Sequence, residues 1–413
     1  MAFSSPSYES LQATPGAGTP AQSEGAPLRR VLLCLPPMPS EALQSTLASL
    51  AGVFGPDEAL VACPDFGADG PEMQGTLPLA TYEGPRAQAG WVLTAVDYAS
   101  AAEQAEKHGV ESILLLGSDA NLLPAASFRG MAELLSAGAD LAVPNYTLGP
   151  HDGLVTASLL YPMTRSLFGA NIRYPLAADA GMSRRMAARM ATIGQRQMAL
   201  AQPDSLLWPV SEAAAASFSI REYGAGSRTL PPPETADFNA LFTGVAGSLF
   251  TEVETKAAFW QRARAMTAAQ RAEAPPSRTN GTTEMDDELP QMVDAFRLAY
   301  KNLQEIWSIV LPPQSLLALK KLSVSSPEGF TMAPGLWARI IYDFALAFHL
   351  RTLNRGHLLG ALTPLYLAWV ASTLRTVSDA SDSALHVEET AAAFEREKPY
   401  LVARWRWPDR FNP

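Results

Sequence analysis

The stretch Ser112-Ile-Leu-Leu-Leu-Gly-Ser-Asp-Ala-Asn-Leu-Leu-Pro124 carries the decisive signal for the fold. Its first half is a short, unbroken apolar run of the kind that is buried on both faces of a parallel sheet. It ends on the acidic-polar triplet Asp119-Ala-Asn121. In open α/β sheets ligands bind just beyond the carboxyl ends of strands, so a carboxylate at that place is a candidate for a site. An ordinary Asp/Asn turn is the alternative reading of the same residues.

The flanking sequence repeats the pattern. Val31-Leu-Leu-Cys-Leu35 is a second apolar run, closed by Pro36-Pro37, and Ala59-Leu-Val-Ala-Cys63 is a third, closed by Pro64-Asp65. Between them Ser40 to Leu50 has helical spacing, with Ser40 as the expected N-cap. Trp91 to His108 reads as an amphipathic helix stopped by Gly109. Phe128 to Ala137 is expected to be helical, and Asp140 to Pro144 a strand. This alternation predicts an α/β domain with a parallel sheet covered by helices. Further on, the chain turns polar through Asn145 to Gly153 and resumes at Leu154 to Phe168; Met186 to Met198 and Ser211 to Glu222 read as helices, with loops over Gly169 to Ser183 and Ser227 to Pro233. From Asp237 helix-period segments dominate, interrupted by a polar linker over about Ala274 to Glu288. The expected organisation is a disordered tail over 1–27, an α/β nucleotide-binding-type domain over 28–236 and an all-α domain over 237–413.

Composition narrows the classes of function. The 413 residues are 47% apolar and 17% charged, as in globular proteins, with a formal charge of −10. That balance offers no basic field for a phosphate backbone, so nucleic acid is not an expected partner. Cys34 and Cys63 are too few for a disulfide framework or a cysteine metal site, and point to a reduced, cytoplasmic setting. The Ser/Ala/Gly/Pro-rich beginning lacks the apolar core of a secretory signal. Leu358 to Leu374 is apolar but contains Pro364 and falls short of the ~20 residues of a membrane span, so a buried helix is expected there.

Five stretches are read together: Gly117-Ser-Asp-Ala-Asn121, His151-Asp-Gly153, Tyr161-Pro-Met-Thr-Arg165, Ile172-Arg-Tyr-Pro-Leu-Ala-Ala-Asp179 and Trp208-Pro-Val-Ser-Glu212. Their order and spacing resemble bacterial family 2-like glycosyltransferases of the GT-A fold, particularly those similar to glucosyl-3-phosphoglycerate synthase and mannosylglycerate synthase. The segments Leu336 to Ala345, Leu362 to Tyr366 and Phe394 to Leu401 resemble the helical domain attached to some of these enzymes. The resemblance implies a GT-A, nucleotide-diphospho-sugar-transferase domain followed by helices. It also implies transfer of a hexose from a nucleotide-diphosphate sugar to a small hydroxylated acceptor, with retention of configuration.

Residue by residue, the resemblance implies that the nucleotide lies against Pro36, Glu41 and Asp65. Asp119 and Asn121 stand where an Asp-x-Asp motif holds the ribose and a Mg2+ or Mn2+ ion, which makes Asp119 the candidate metal ligand. Arg165 and Arg173 could offset diphosphate charge, since a guanidinium fork matches phosphate oxygens. Asp179 falls in a sugar-binding loop and Glu212 near an acidic residue facing sugar or acceptor, the two candidate catalytic carboxylates. Their alternative roles are helix capping for Asp179, together with Ser183, and a first-turn carboxylate favoured by the helix dipole for Glu212. His151, Asp152 and Arg228 are the candidate acceptor residues.

The chain departs from these relatives at two points. Asn121 replaces a carboxylate, and the loop Gly224-Ala-Gly-Ser-Arg-Thr-Leu-Pro231 lacks a histidine that serves them as a metal ligand. A hard divalent cation prefers anionic oxygen, so the expected ion site is weakened, with Arg228 as a fixed-charge substitute. A second function class therefore stands beside the transferase: a GT-A scaffold that binds a nucleotide or a protein without turnover. A dinucleotide-dependent dehydrogenase is set aside, because no G-x-G-x-x-G follows the first strand. The aromatic spacing of Trp337, Tyr342, Phe344, Phe348, Tyr366 and Trp369 predicts a packed helical core, and the helical domain is a candidate homodimer interface.

Overall fold

The structure is a computed structural model, and it describes residues 30–65, 77–82, 92–147, 153–176, 178–227, 237–263, 289–377 and 380–408. The expected tail, the linker over 274–288, His151, Asp152 and Arg228 lie outside the described residues.

The first part alternates as the apolar runs dictate: β1 (Val31–Cys34), α1 (Ser40–Ala51), β2 (Ala59–Pro64), β3 (Leu79–Tyr82), α2 (Ala95–His108), β4 (Ser112–Leu115), α3 (Ala125–Ser136) and β5 (Leu141–Thr147). There follow α4 (Tyr161–Phe168), β6 (Ala180–Ser183), α5 (Arg184–Ala199), α6 (Pro209–Ala215) and β7 (Ile220–Ser227). The seven strands form one sheet in the order β3-β2-β1-β4-β6-β5-β7. All pairs are parallel except those of β6, which runs against both β4 and β5. From β1 the chain builds outward to β2 and β3, then returns to place β4 on the other side of β1. The junction of β1 and β4 is thus the point where strand order reverses, the place where open α/β sheets take their ligands. This is an α/β domain, as the alternation of apolar runs and helical segments predicts, followed by helices.

Those helices are α7 (Phe238–Thr255), α8 (Ala257–Trp260), α9 (Leu289–Val310), α10 (Pro313–Ser323), α11 (Pro334–Leu350), α12 (Arg355–Thr376) and α13 (Ala380–Arg406). The apolar α12 runs through Pro364, and 78% of its most apolar window is buried inside the protein, as expected of a core helix. Trp337, Tyr342, Phe344, Phe348, Tyr366 and Trp369 all sit in one buried cluster.

Several local expectations are corrected. Ser40 is the first residue of α1 rather than its cap, and Pro39 precedes it without a capping side chain. The helix expected from Trp91 starts at Ala95, where the N–H and hydroxyl of Thr94 both donate to Asp97 at 2.8 Å. The loop expected over Gly169 to Ser183 contains β6. Its sequence, Ala-Gly-Met-Ser, has weak strand propensity. Packing imposes the conformation, since a Cβ on Gly181 would stand 3.1 Å from both Ala142 and Leu114 of the two neighbouring strands. The helix expected over Ser211 to Glu222 ends at Ala215. Ser217 then takes a left-handed conformation (φ 58°), and Ile220 to Ser227 joins the sheet beside β5. Strand β3 has no counterpart among the expectations, because as an edge strand it buries little apolar surface.

Candidate functional site

The decisive stretch folds as read. Ile113, Leu114, Leu115 and Leu116 are fully or almost fully buried, and the chain leaves the sheet at Gly117. It enters a tight turn, Ala120–Leu122, whose backbone bonds run from Ala120 N–H to Gly117 O (3.1 Å) and from Leu122 N–H to Asp119 O (3.0 Å). Asp119 and Asn121 are half-buried on this turn, which packs against α1. Pro36 is half-buried on the loop after β1, Glu41 is exposed in the first turn of α1, and Asp65 is exposed just beyond β2. Pro36, Glu41, Asp65, Asp119 and Asn121 therefore all follow the carboxyl ends of the central strands.

Asp179 is fully buried and ties this edge together. One of its oxygens accepts the Gly117 N–H at 2.9 Å and the other the Tyr146 hydroxyl at 2.7 Å. The Tyr174 hydroxyl in turn donates to the Tyr146 carbonyl at 3.1 Å, and the two rings lie 5.0 Å apart. Close approach is required at the corner: a Cβ on Gly117 would stand 2.9 Å from the Ala178 carbonyl. Asp179 does not cap α5. That cap is Ser183, whose hydroxyl oxygen accepts the Met186 N–H at 3.3 Å.

The loop before Asp179 is anchored by a residue of the stretch expected to be helical over Ser211 to Glu222. Glu222, on β7, accepts the backbone N–H of Arg173 at 2.6 Å. Burial pushes its carboxyl up to about 7, against the lowering effect of the Arg173 N–H and charge. Ile220 and Tyr223 favour a strand by propensity, but Ile220-Arg-Glu-Tyr223 does not alternate apolar and polar residues, so no periodic signal marks it.

Arg165 and Arg173 stand together at another junction. Arg165, 3% exposed, lies on α4, all eight residues of which are buried. Its guanidinium donates to Glu395 at 3.2 and 3.3 Å, to Glu388 at 2.5 Å and to the Tyr161 hydroxyl at 2.8 Å. Arg173 lies over the Tyr161 ring and 3.8 Å from Glu388. Both carboxylates belong to α13, so these arginines join the α/β part to the last helix.

Glu212 occupies a third place, the first turn of α6. One of its oxygens takes Arg189 Nε at 2.8 Å and Nη2 at 2.7 Å, and the other takes Lys256, between α7 and α8. Beside it Glu252 accepts from the Ser211 hydroxyl, and burial raises its carboxyl to about 7. Sequence spacing held no signal for this group, whose members come from α5, α6, α7 and the turn after α7.

No family model and no curated protein matches the sequence. Among solved structures, the chain is similar to glucosyl-3-phosphoglycerate synthase from Mycobacterium tuberculosis in complex with uridine diphosphate. Identity is 14% over 55% of this chain and 79% of that one, with a TM-score of 0.35. It is similar also to the same enzyme with Mn2+, UDP-glucose and phosphoglyceric acid, at 12% identity over the same shares with a TM-score of 0.34. A further similar structure is described as a mycobacterial protein, at 12% identity, 55% and 74% coverage and a TM-score of 0.34.

Proposed function

We propose that the protein is a glycosyltransferase that moves a hexose from a nucleotide-diphosphate sugar to a small hydroxylated acceptor, with retention at the anomeric carbon. The observation that carries this reading is the Asp119 turn, set at the β1/β4 switch point and braced by the buried Asp179. A crevice there is where an open α/β sheet takes a nucleotide. Pro36, Glu41 and Asp65 would border the base, and Asp119 with Asn121 the ribose and diphosphate. Asp179 would act by holding the backbone of that turn. Departure of a nucleoside diphosphate develops negative charge that fixed cations or a metal must offset.

A divalent ion at this turn would supply that charge when bound. Among the described residues no three Asp, Glu, His or Cys side chains converge on one point, and the turn itself presents one carboxylate beside the neutral Asn121. That donor set fits a hard cation poorly.

The test is a thermal-shift titration of the whole chain with UDP, GDP, ADP and the corresponding hexose donors, with and without Mn2+. A ligand that binds only the folded state stabilises it by about 2.7 kcal/mol at a hundredfold excess over Kd. One nucleotide is expected to raise Tm, and Asp119→Ala to remove the shift while the ligand-free Tm stays within a few degrees. Absence of a shift with every nucleotide overturns the reading.

A second reading, a scaffold that binds without turnover, is favoured by one observation: Arg165 and Arg173 are engaged by Glu388 and Glu395 of α13. Nucleotide binding without release of hexose to water or to any small polyol would select it.

A further inference from the structure

On the flank of the sheet, α5, the segment 202–208, α6 and α7 surround a cavity of about 910 Å³, and none of its lining residues belongs to β1, β4 or the Asp119 turn. The volume lies in the range of small-molecule sites. Its ionisable lining is balanced, with Arg189, Arg196 and Lys256 against Asp204, Glu212 and Glu252. The innermost charges are already compensated. Glu212, 5% exposed, is held by Arg189 on one oxygen and by Lys256 on the other.

Charge balance decides what can enter. A phosphate or carboxylate deep in the cavity would compete with Glu212 for Arg189 and Lys256 and leave a buried carboxylate short of its partner, whereas Arg196 offers an anion only an exposed guanidinium. A neutral polyol disturbs nothing. Its hydroxyls donate to remaining carboxylate lone pairs and accept from guanidinium, ammonium and amide hydrogens. Gln197, Gln202, Ser248 and Thr251 line the same space and add uncharged donors and acceptors. We propose that this cavity binds a neutral polyhydroxylated molecule of mono- or disaccharide size in preference to phosphorylated sugars.

The experiment is isothermal titration of the full chain with glycerol, glucose, sucrose and trehalose, and in parallel with inorganic phosphate and 3-phosphoglycerate. Two cavity-filling variants accompany it. Thr251→Trp starts from an exposed position of α7, and Gly244→Leu from a helical position whose Cβ would meet nothing within 4 Å, so both are compatible with the fold. Circular dichroism checks that each variant folds. Binding of at least one neutral compound is expected, abolished by both variants and unchanged by Asp119→Ala. Three results overturn the proposal: no neutral compound binds, its binding survives both variants, or the variants abolish binding of a phosphate probe instead. The outcome is separable from the transferase reading. Saccharide binding by a protein that takes no nucleotide would refute that reading and leave this one standing.

Discussion

Glu222 shows how one side chain links the site to pH. Its folded-state carboxyl is raised to about 7 from an ordinary 4.5, chiefly by burial. The folded state therefore holds this proton more tightly than the unfolded chain. Between about pH 4.5 and pH 7 folding takes up a proton, so the Glu222 contribution to stability falls as pH rises through that window. Glu222→Gln keeps an acceptor for the Arg173 N–H and removes the ionisation. It is expected to match the native protein below pH 4.5 and to exceed it by ~1–2 kcal/mol at pH 8, in urea titrations at the two pH values. A native-like pH dependence in the variant would contradict the assignment. Asp179 is held by the Gly117 backbone N–H and the Tyr146 hydroxyl. Asp179→Ala removes the acceptor of the buried Gly117 N–H and of the Tyr146 hydroxyl. The expected cost is about 2–4 kcal/mol, together with loss of the nucleotide-induced shift. Asp119 was legible in the sequence because a polar triplet after an apolar run is a local signal. The bracing role of Asp179 was not, since Gly117 lies 62 residues away.

Helix α4 explains why two arginines read as phosphate ligands sit where they do. A helix buried on all sides lies between two layers, and a cation within it must carry its own counter-charges. Glu388 and Glu395 of α13 provide them. Arg165→Ala would leave Glu395, 8% exposed in its side chain, without that partner, and is expected to cost about 3–5 kcal/mol in chemical denaturation. Glu388→Gln should cost at most about 1 kcal/mol, because that side chain is 52% exposed. Equal effects would refute the distinction. The α2–α5 pair gives a second element-level case. A Cβ on Gly194 would stand 2.6 Å from the Ala95 carbonyl, backbone against backbone. Gly194→Ala is thus expected to lower Tm, although alanine is favoured over glycine by about 1 kcal/mol in an unconstrained helix.

Across the whole molecule the packing does not divide where the chain changes character. One core lies on the sheet, and the other is built from the later helices. The second core also takes Leu159, Leu160, Met163, Leu167, Phe168 and Trp208 from the earlier part. Trp337 Nε1 donates to the Ser158 carbonyl at 2.8 Å and Tyr342 to the Ser166 hydroxyl at 3.0 Å, closing the joint with hydrogen bonds. A chain ended at residue 236 would expose this apolar strip of α4. It is expected to be insoluble or to lack near-UV circular dichroism, whereas the full chain should unfold in one calorimetric transition. A truncated chain with a native-like near-UV spectrum would show the two parts to be independent.

By itself the sequence determined the elements whose signals are local: the buried runs of β1, β2 and β4, the helices between them, the Asp119 turn and the aromatic helical core. Apolar periodicity suffices for these, because each segment must bury one face wherever it ends up. Tertiary structure alone decided the antiparallel β6, which no propensity favours and which exists because β4 and β5 leave a slot for small residues. It also decided the brace through Asp179 and Glu222, the pairing of Arg165 with α13 and the balanced cavity around Glu212. Each joins residues far apart in the chain, and their chemistry depends on burial and partners that spacing does not encode.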